Sequence, residues 1–158
     1  MPANSHLTKR DPVILTSTEV NDLIAKSLQK HGFFVKRASR DQEADIRAIK
    51  GEYELIIESR GNQAKKNQGT DMVFESSQLD IHLSEHVTQI MRFQQSISTE
   101  KTPIYIMANP YIPRIRERVE KITSGLDKLE ICRFWVNDLA GMVLEGPEDV
   151  RQILKSLL

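Results

Sequence analysis

The stretch from Ala44 to Gly61, which reads ADIRAIKGEYELIIESRG, constrains the fold most. Apolar and polar residues alternate over 44–49 and again over 53–59, and the segment 50–52, with a glycine at its centre, joins the two runs. Because side chains alternate between the two faces of a strand, this pattern predicts an antiparallel β-hairpin. The rest of the fold is predicted around this hairpin.

Two acids lie at one end of the predicted hairpin. Glu58 and Arg60 point to the same face of the second strand, and Asp45 comes roughly opposite them on the first strand. Acids held close together on an apolar support repel each other unless a cation shares them. Asp45 and Glu58 therefore favour a hard divalent metal with oxygen ligands, Mg2+ first. Alternatively, both acids are solvated strand ends paired with Arg47, Lys50 or Arg60.

The other predicted elements indicate an α/β domain. Periodicity and caps predict helices over about 16–30, 81–97, 112–122 and 147–157, and strands over about 33–37, 44–49, 53–59, 103–108, 131–136 and 142–144. The apolar run 103–108 is typical of a strand buried on both faces, usually a parallel strand. A turn is predicted at Asn137 and Asp138. Residues 1–15 are expected to form a loose arm, and residues 16–158 a single domain, because 158 residues suit one core.

Composition limits the partners. Lys plus Arg and Asp plus Glu both number 22, so a nucleic acid would have to be bound by a local basic patch rather than by net charge. The single cysteine, Cys132, excludes an internal disulfide and a multi-cysteine zinc site. No apolar run approaches the roughly 18 residues of a membrane span, so no membrane partner and a cytoplasmic location are expected. Patterns for nucleotide hydrolysis, serine hydrolysis and dinucleotide redox chemistry are absent.

The order of helix, three strands, helix and strand, with Asp45 and the sequence Glu58-Ser59-Arg60, resembles the PD-(D/E)xK nuclease superfamily. The resemblance covers roughly residues 16–136 and implies a restriction-endonuclease-like αβββαβ core, with a mixed central sheet flanked by helices. Two positions depart from the family pattern: Ala44 stands in place of its proline, and Arg60 in place of its lysine.

The resemblance implies a metal-dependent endonuclease that hydrolyses DNA phosphodiester bonds. Asp45 and Glu58 would bind Mg2+ or Mn2+, and Glu19 or the Ile57 carbonyl would complete the ligands. Since arginine does not lose its proton at neutral pH, the metal would have to activate the water while Arg60 holds the scissile phosphate. A homodimer is expected by analogy, because two sites cut two strands most easily. The alternatives are a catalytically inactive nucleic-acid-binding or assembly domain on this fold and an unrelated α/β protein with structural acids.

Further candidates lie on the helices and on the loop after the hairpin. Gln89 and Arg92 could contact phosphate or support Glu58, or they could lie on a solvated helix face. Lys65 and Lys66 are candidate DNA contacts, since they leave the hairpin on the side of the predicted site.

Four other residues have two interpretations each. Arg114 belongs to the densest basic segment and could bind phosphate, although a charge-laced exposed helix explains it as well. Glu19 lies in the first turn of a helix, where an acid is also favoured by the helix dipole. His82 and His86 are four residues apart, a spacing that can bind a transition metal; because no third ligand is evident and HExxH is not matched, the pattern favours surface or half-buried histidines.

Overall fold

Helices and strands follow each other in the predicted order. The computed structural model describes residues 1–137 and 141–158, so Asp138 of the predicted turn lies outside the described residues. The helices are α1 (Ser17–Lys30), α2 (Ser76–Ser96), α3 (Pro113–Glu120), α4 (Thr123–Lys128) and α5 (Glu148–Leu157). The strands are β1 (Phe34–Arg37), β2 (Ile46–Lys50), β3 (Tyr53–Ser59), β4 (Thr102–Pro110), β5 (Ile131–Val136) and β6 (Met142–Glu145). The predicted α/β class is confirmed.

The six strands form one mixed sheet in which the spatial order equals the chain order. β1, β2 and β3 are antiparallel neighbours, β3 to β5 are parallel, and β6 returns antiparallel beside β5. The prediction of a parallel strand over 103–108 is therefore confirmed. Because parallel neighbours require a crossover, α2 links β3 to β4, and α3 with α4 links β4 to β5. The carboxyl ends of β3, β4 and β5 consequently lie at one edge of the sheet.

The central hairpin closes through a two-residue turn. Lys50 pairs with Tyr53, and Gly51 takes a φ of +59°, which glycine adopts without strain. The register continues to the pair of Ile46 and Ile57. The predicted hairpin is confirmed, with the first strand beginning two residues later than expected.

β3 is covered by apolar side chains on both faces. Leu55 and Ile57 belong to the main core with Ile24 of α1, whereas Ile56 packs with Phe93 of α2 in a smaller cluster. All residues of β3 after Tyr53 are buried. The carboxyl end of this strand therefore brings Glu58 to the sheet edge on a dry support.

The N-terminal 15 residues are not the loose arm that was predicted. Asn4 bonds twice to the backbone of Asp11, and Asn62 accepts from the Leu15 backbone N–H and donates to the Val13 carbonyl. The Arg114 guanidinium donates to Asp11 Oδ1 at 2.8 Å in a buried pair. Polar contacts with residues far along the chain therefore fix this segment.

Gly61 allows the N-terminal segment to approach the end of the hairpin. A Cβ atom at this position would overlap the Leu15 carbonyl and the Thr16 backbone. The Asn62 backbone N–H donates to the same Leu15 carbonyl at 2.9 Å. The close approach therefore depends on glycine.

Two helix boundaries differ from the prediction. α2 begins at Ser76 rather than at residue 81, because the Gln78 side chain accepts from the Glu75 N–H, and the actual first core residue is Leu79. The helix predicted from 112 is divided into α3 and α4, and Gly125 lies inside α4. Among the described residues, no helix is both long and apolar enough to cross a membrane.

Candidate functional site

The hairpin register places the two predicted acids opposite each other. Asp45 precedes Ile46 and Glu58 follows Ile57, so the two acids occupy the next position of the hairpin beyond the pair of Ile46 and Ile57. The Ser59 backbone N–H donates to Asp45 Oδ2 at 2.9 Å, and the Asp45 backbone N–H donates to Glu58 Oε1 at 3.3 Å. Each side chain therefore braces the opposite strand, and both carboxylates are held at the sheet edge.

Arg60 is the cation that belongs to this acid pair. Its Nη1 lies 3.2 Å from Glu58 Oε2 and donates to the Ser59 carbonyl at the same distance. Glu58 is 7% exposed, whereas one quarter of the Arg60 side chain is exposed. The guanidinium therefore joins a buried carboxylate to solvent.

The environment of Glu58 disfavours its charged form. Burial is the largest cause that raises the pKa of Glu58 to about 7; repulsion from Asp45 also raises it, and attraction to Arg60 opposes both. A second cation would relieve this repulsion. Near neutral pH an added positive charge, whether a proton or a cation, would therefore stabilise the acid pair.

An open cavity of about 430 Å³ surrounds the acid pair. Its lining is mostly polar and comes from β3, α2 and the loop between β1 and β2: Ala38, Ser39, Arg40, Asp41, Asp45, Glu58, Arg60 and Gln89. α2 thus brings Gln89 to the same cavity as Asp45, Glu58 and Arg60. Four residues that the sequence singled out for catalysis share one solvent-accessible space.

Three polar residues of the lining were missed by the sequence reasoning: Ser39, Arg40 and Asp41. All three are exposed and lie in the loop between β1 and β2. The antiparallel register could have located them, because the loop that leads into Asp45 has to lie at the same end of the sheet as Asp45. Asp41 adds a third carboxylate and Arg40 a second guanidinium to the cavity wall.

A second open cavity, of about 380 Å³, adjoins the first one along α2. Arg60 and Gln89 line both cavities, and Arg92, Ser84, Thr88 and Glu85 complete the second. Arg92 is exposed, and its Nη1 lies 3.5 Å from Gln89 Oε1. Arg60 therefore stands between the acid pair and a further arginine.

Glu19 is placed away from the acid pair. Its carboxylate accepts from the Thr16 backbone N–H at 3.0 Å, and Thr16 Oγ1 accepts from the Glu19 N–H in return. The cavity that Glu19 lines shares no residue with the cavity around Asp45 and Glu58. The structure thus gives Glu19 the role of a helix cap, and the suggestion that it completes a metal shell is withdrawn.

The prediction that Arg114 binds phosphate is also corrected. It is 9% exposed, and its guanidinium bonds to Asp11 and to the Phe74 carbonyl. A side chain held in this way has no free donor face for a DNA phosphate, so its role is structural. Lys65 and Lys66 are exposed in a single 3-10 turn, Lys65–Asn67, as a DNA contact requires.

The helical histidine pair lies behind the acid pair. His86 is fully buried, and its Nε2 donates to the Glu58 carbonyl at 2.7 Å. Burial lowers the pKa of His86 to about 3, so the ring is neutral. The expectation of a surface or half-buried position is wrong for His86, whereas His82 is half-buried.

The chemistry of the acid pair suits a hard cation. In the parts of the chain that the structure describes, no group of three or more His, Cys, Asp or Glu is placed to hold a metal ion. Mg2+ commonly binds through one or two carboxylates and completes its shell with water and substrate oxygens. Two carboxylates therefore fit Mg2+ or Mn2+ better than Zn2+, which requires three or four protein ligands.

Comparison of the chain with protein-family models, with curated proteins and with solved structures finds no match in any of the three.

Proposed function

We propose that this protein is a metal-dependent endonuclease of the PD-(D/E)xK type that hydrolyses DNA phosphodiester bonds. The observation that supports the proposal most is that Asp45, Glu58, Arg60 and Gln89 line one open polar cavity at a sheet edge. The order of helix, three strands, helix and strand is also the one that the restriction-endonuclease-like fold requires. Asp45 and Glu58 would hold Mg2+ or Mn2+.

Each polar side chain has a role in this proposal. When bound, the cation supplies Lewis acidity, which activates water and offsets phosphate charge. Arg60 donates its remaining N–H groups to the oxygens of the scissile phosphate and stabilises the charge that develops there. Gln89 donates a side-chain N–H to an oxygen of the same phosphate. The Asp45–Ser59 hydrogen bond keeps the Asp45 carboxylate oriented before substrate binds.

The basic residues around the site give the DNA backbone a path. Arg60 lines both cavities, so a DNA strand with one phosphate beside the acid pair would continue into the second cavity, where Arg92 would contact the next phosphate. Glu85 interrupts the positive charge of the second cavity, so DNA affinity should be modest. Because the contacts are to phosphates, this affinity should fall as the salt concentration rises. Lys65 and Lys66 would contact the backbone farther along.

The test is nicking of supercoiled plasmid with Mg2+ or Mn2+. Asp45→Asn and Glu58→Gln preserve the shape of each side chain while removing its charge, and both should abolish nicking. Glu52→Gln removes an exposed acid from the hairpin turn and should nick at the wild-type rate. Nicking that persists in both site variants, or that needs no metal, would reject the proposal. Sedimentation of the same samples tests the proposed homodimer.

One observation favours a second candidate function, a nucleic-acid-binding domain without cleavage. The Arg60 guanidinium already lies beside the buried Glu58 carboxylate and compensates its charge. If that pair replaces the metal, Mn2+ will not bind, and DNA will bind without being nicked. Mn2+ titration and a DNA mobility-shift assay on the same preparation separate the two functions.

A further inference from the structure

A small cavity lies beside Arg60, which also lines the cavity around the acid pair. His82 and His86 of α2 and Asn109 of β4 line it, together with apolar side chains. The space open to a water molecule is about 10 Å³. One buried water needs roughly 10–15 Å³ by this measure.

Three buried nitrogen atoms around this cavity have no hydrogen-bond partner among the described residues: His82 Nδ1, His86 Nδ1 and Asn109 Nδ2. His86 is fully buried, and Asn109 is 3% exposed. Buried polar groups in native proteins are nearly always paired, with protein or with an ordered water. Three such atoms around one small space therefore indicate a bound molecule.

The hydrogen-bonding roles of these atoms limit what the molecule can be. A carbonyl oxygen only accepts, so His86 Nε2, which bonds to the Glu58 carbonyl, carries the proton. In the neutral ring, His86 Nδ1 must then accept a hydrogen bond, whereas the Asn109 Nδ2 group can only donate. An anion could not donate to His86, and a cation would lie against the Asn109 N–H groups and beside the Arg60 charge. The molecule must both donate and accept, as water does.

We propose that this cavity binds one water molecule, which donates to His82 Nδ1 and to His86 Nδ1 and accepts from Asn109 Nδ2. About three hydrogen bonds are usual for a buried water. The Phe74 ring holds the His82 ring edge-on, with 4.3 Å between the ring centroids and 89° between the planes. Because both Nδ1 atoms accept from this water, both neutral histidines carry their proton on Nε2.

The water makes His86 a positioning residue for the acid pair. By occupying the Nδ1 lone pair, it fixes the tautomer whose Nε2–H holds the Glu58 carbonyl at the end of β3. Histidines that orient metal ligands through their second nitrogen work in a similar way. This positioning role rests on the proposed function, whereas the water site itself does not.

The first test uses side-chain 15N–1H correlation spectra of the metal-free wild-type protein. His82 and His86 should show the Nε2–H tautomer, with Nδ1 shifts displaced from that of a free lone pair by hydrogen bonding. His31 is the internal reference, because its Nδ1 lies 2.8 Å from the Ser27 carbonyl and calls for the opposite tautomer when neutral. An Nδ1–H tautomer for His86, or a free Nδ1 lone pair, overturns the proposal. Displacement of both Nδ1 signals by equimolar Zn2+ also overturns it, in favour of a metal site.

Variants test the two parts separately. Asn109→Leu removes the donor to the water and should move the His86 Nδ1 shift toward the free value; an unchanged shift overturns the water site. His86→Gln keeps an N–H for the Glu58 carbonyl and should bind Mn2+ within about threefold of wild type, while His86→Leu should bind about tenfold more weakly. Equal Mn2+ affinity in folded His86→Leu and wild type overturns the positioning role. If the wild type has the predicted tautomers but never nicks DNA, the proposed function fails and the water site stands.

Discussion

Replacement of Glu58 by glutamine should stabilise the protein at alkaline pH. Glutamine has the shape of the protonated acid, which is the form that the buried site prefers. The folded protein holds the Glu58 proton up to about pH 7, whereas the unfolded chain releases it near the ordinary value of 4.5. The wild-type side chain therefore contributes stability that is fully present below pH 4.5 and is lost as the pH rises through 7.

The magnitude follows from the size of the pKa displacement. A rise from 4.5 to about 7 spans about 2.5 pH units, and at about 1.4 kcal/mol per unit the full change in the free energy of unfolding is about 3.5 kcal/mol. Net stabilities of single domains are about 5–15 kcal/mol, so this is a large share. The acid pair thus weakens the wild-type fold at the pH where both carboxylates of the proposed cation site are charged.

Urea unfolding in metal-free buffer at pH 5 and pH 8 measures the effect. The difference in unfolding free energy between Glu58→Gln and wild type should grow by about 2.5 kcal/mol between the two conditions, somewhat less than the full value because the unfolded chain is already mostly ionised at pH 5. Glu52→Gln, at an exposed position of the hairpin turn, should differ from wild type by the same amount at both pH values. Addition of Mg2+ at pH 8 should stabilise the wild type, because a ligand that binds only the folded protein raises its stability. Glu58→Gln should be unchanged, because it lacks one of the two carboxylates. A Glu58→Gln difference that does not change with pH would refute the reasoning.

Substitutions at four other positions have defined outcomes. Gly61→Ala should lower the melting temperature and reduce the free energy of unfolding by on the order of 1–3 kcal/mol, because its Cβ would overlap the N-terminal segment. Gly125→Ala, with open space in α4, should instead raise the melting temperature and increase the free energy of unfolding by about 0.5–1 kcal/mol. Arg114→Met should lower the free energy of unfolding in urea by about 3–5 kcal/mol, because Asp11 would stay buried without its partner. A folded Arg114→Met protein that had lost DNA affinity without this loss of stability would contradict the structural role of Arg114. Arg60→Lys should retain nicking and Arg60→Met should lose about 100-fold or more; equal rates would contradict the phosphate contact.

The hairpin and its acid pair were predictable because their determinants are local. Alternation of apolar and polar residues fixed the faces of the two strands, and Gly51 fixed the turn, so Asp45 had to lie opposite Glu58. The buried strand β4 and the helix that carries Gln89 were equally evident from composition and periodicity. What these signals share is that each depends on neighbours within a few residues.

The N-terminal segment and the cavity wall could not be predicted in this way. Asp11 is held by Asn62 and Arg114, which are 51 and 103 residues away in the chain. A single sequence gives no sign of such a pairing, so a polar segment with two prolines suggested a loose arm, and an arginine suggested a DNA contact. Asp41 was missed for a milder reason: its loop was recognised, but its position beside the site follows only from the sheet register.

The agreement between chain order and sheet order has a consequence for how the protein folds. The hairpin that carries Asp45 and Glu58 can close on the microsecond scale that is usual for hairpins, while both carboxylates are still in water and carry charge at little cost. Loss of water around Glu58 comes only when β4 and α2 dock, because β4 pairs with the open edge of β3 and α2 covers the face that carries Ile56 and Glu58. Repulsion between the acids therefore enters late in folding, so changes in pH should act mainly on the rate at which the native protein opens.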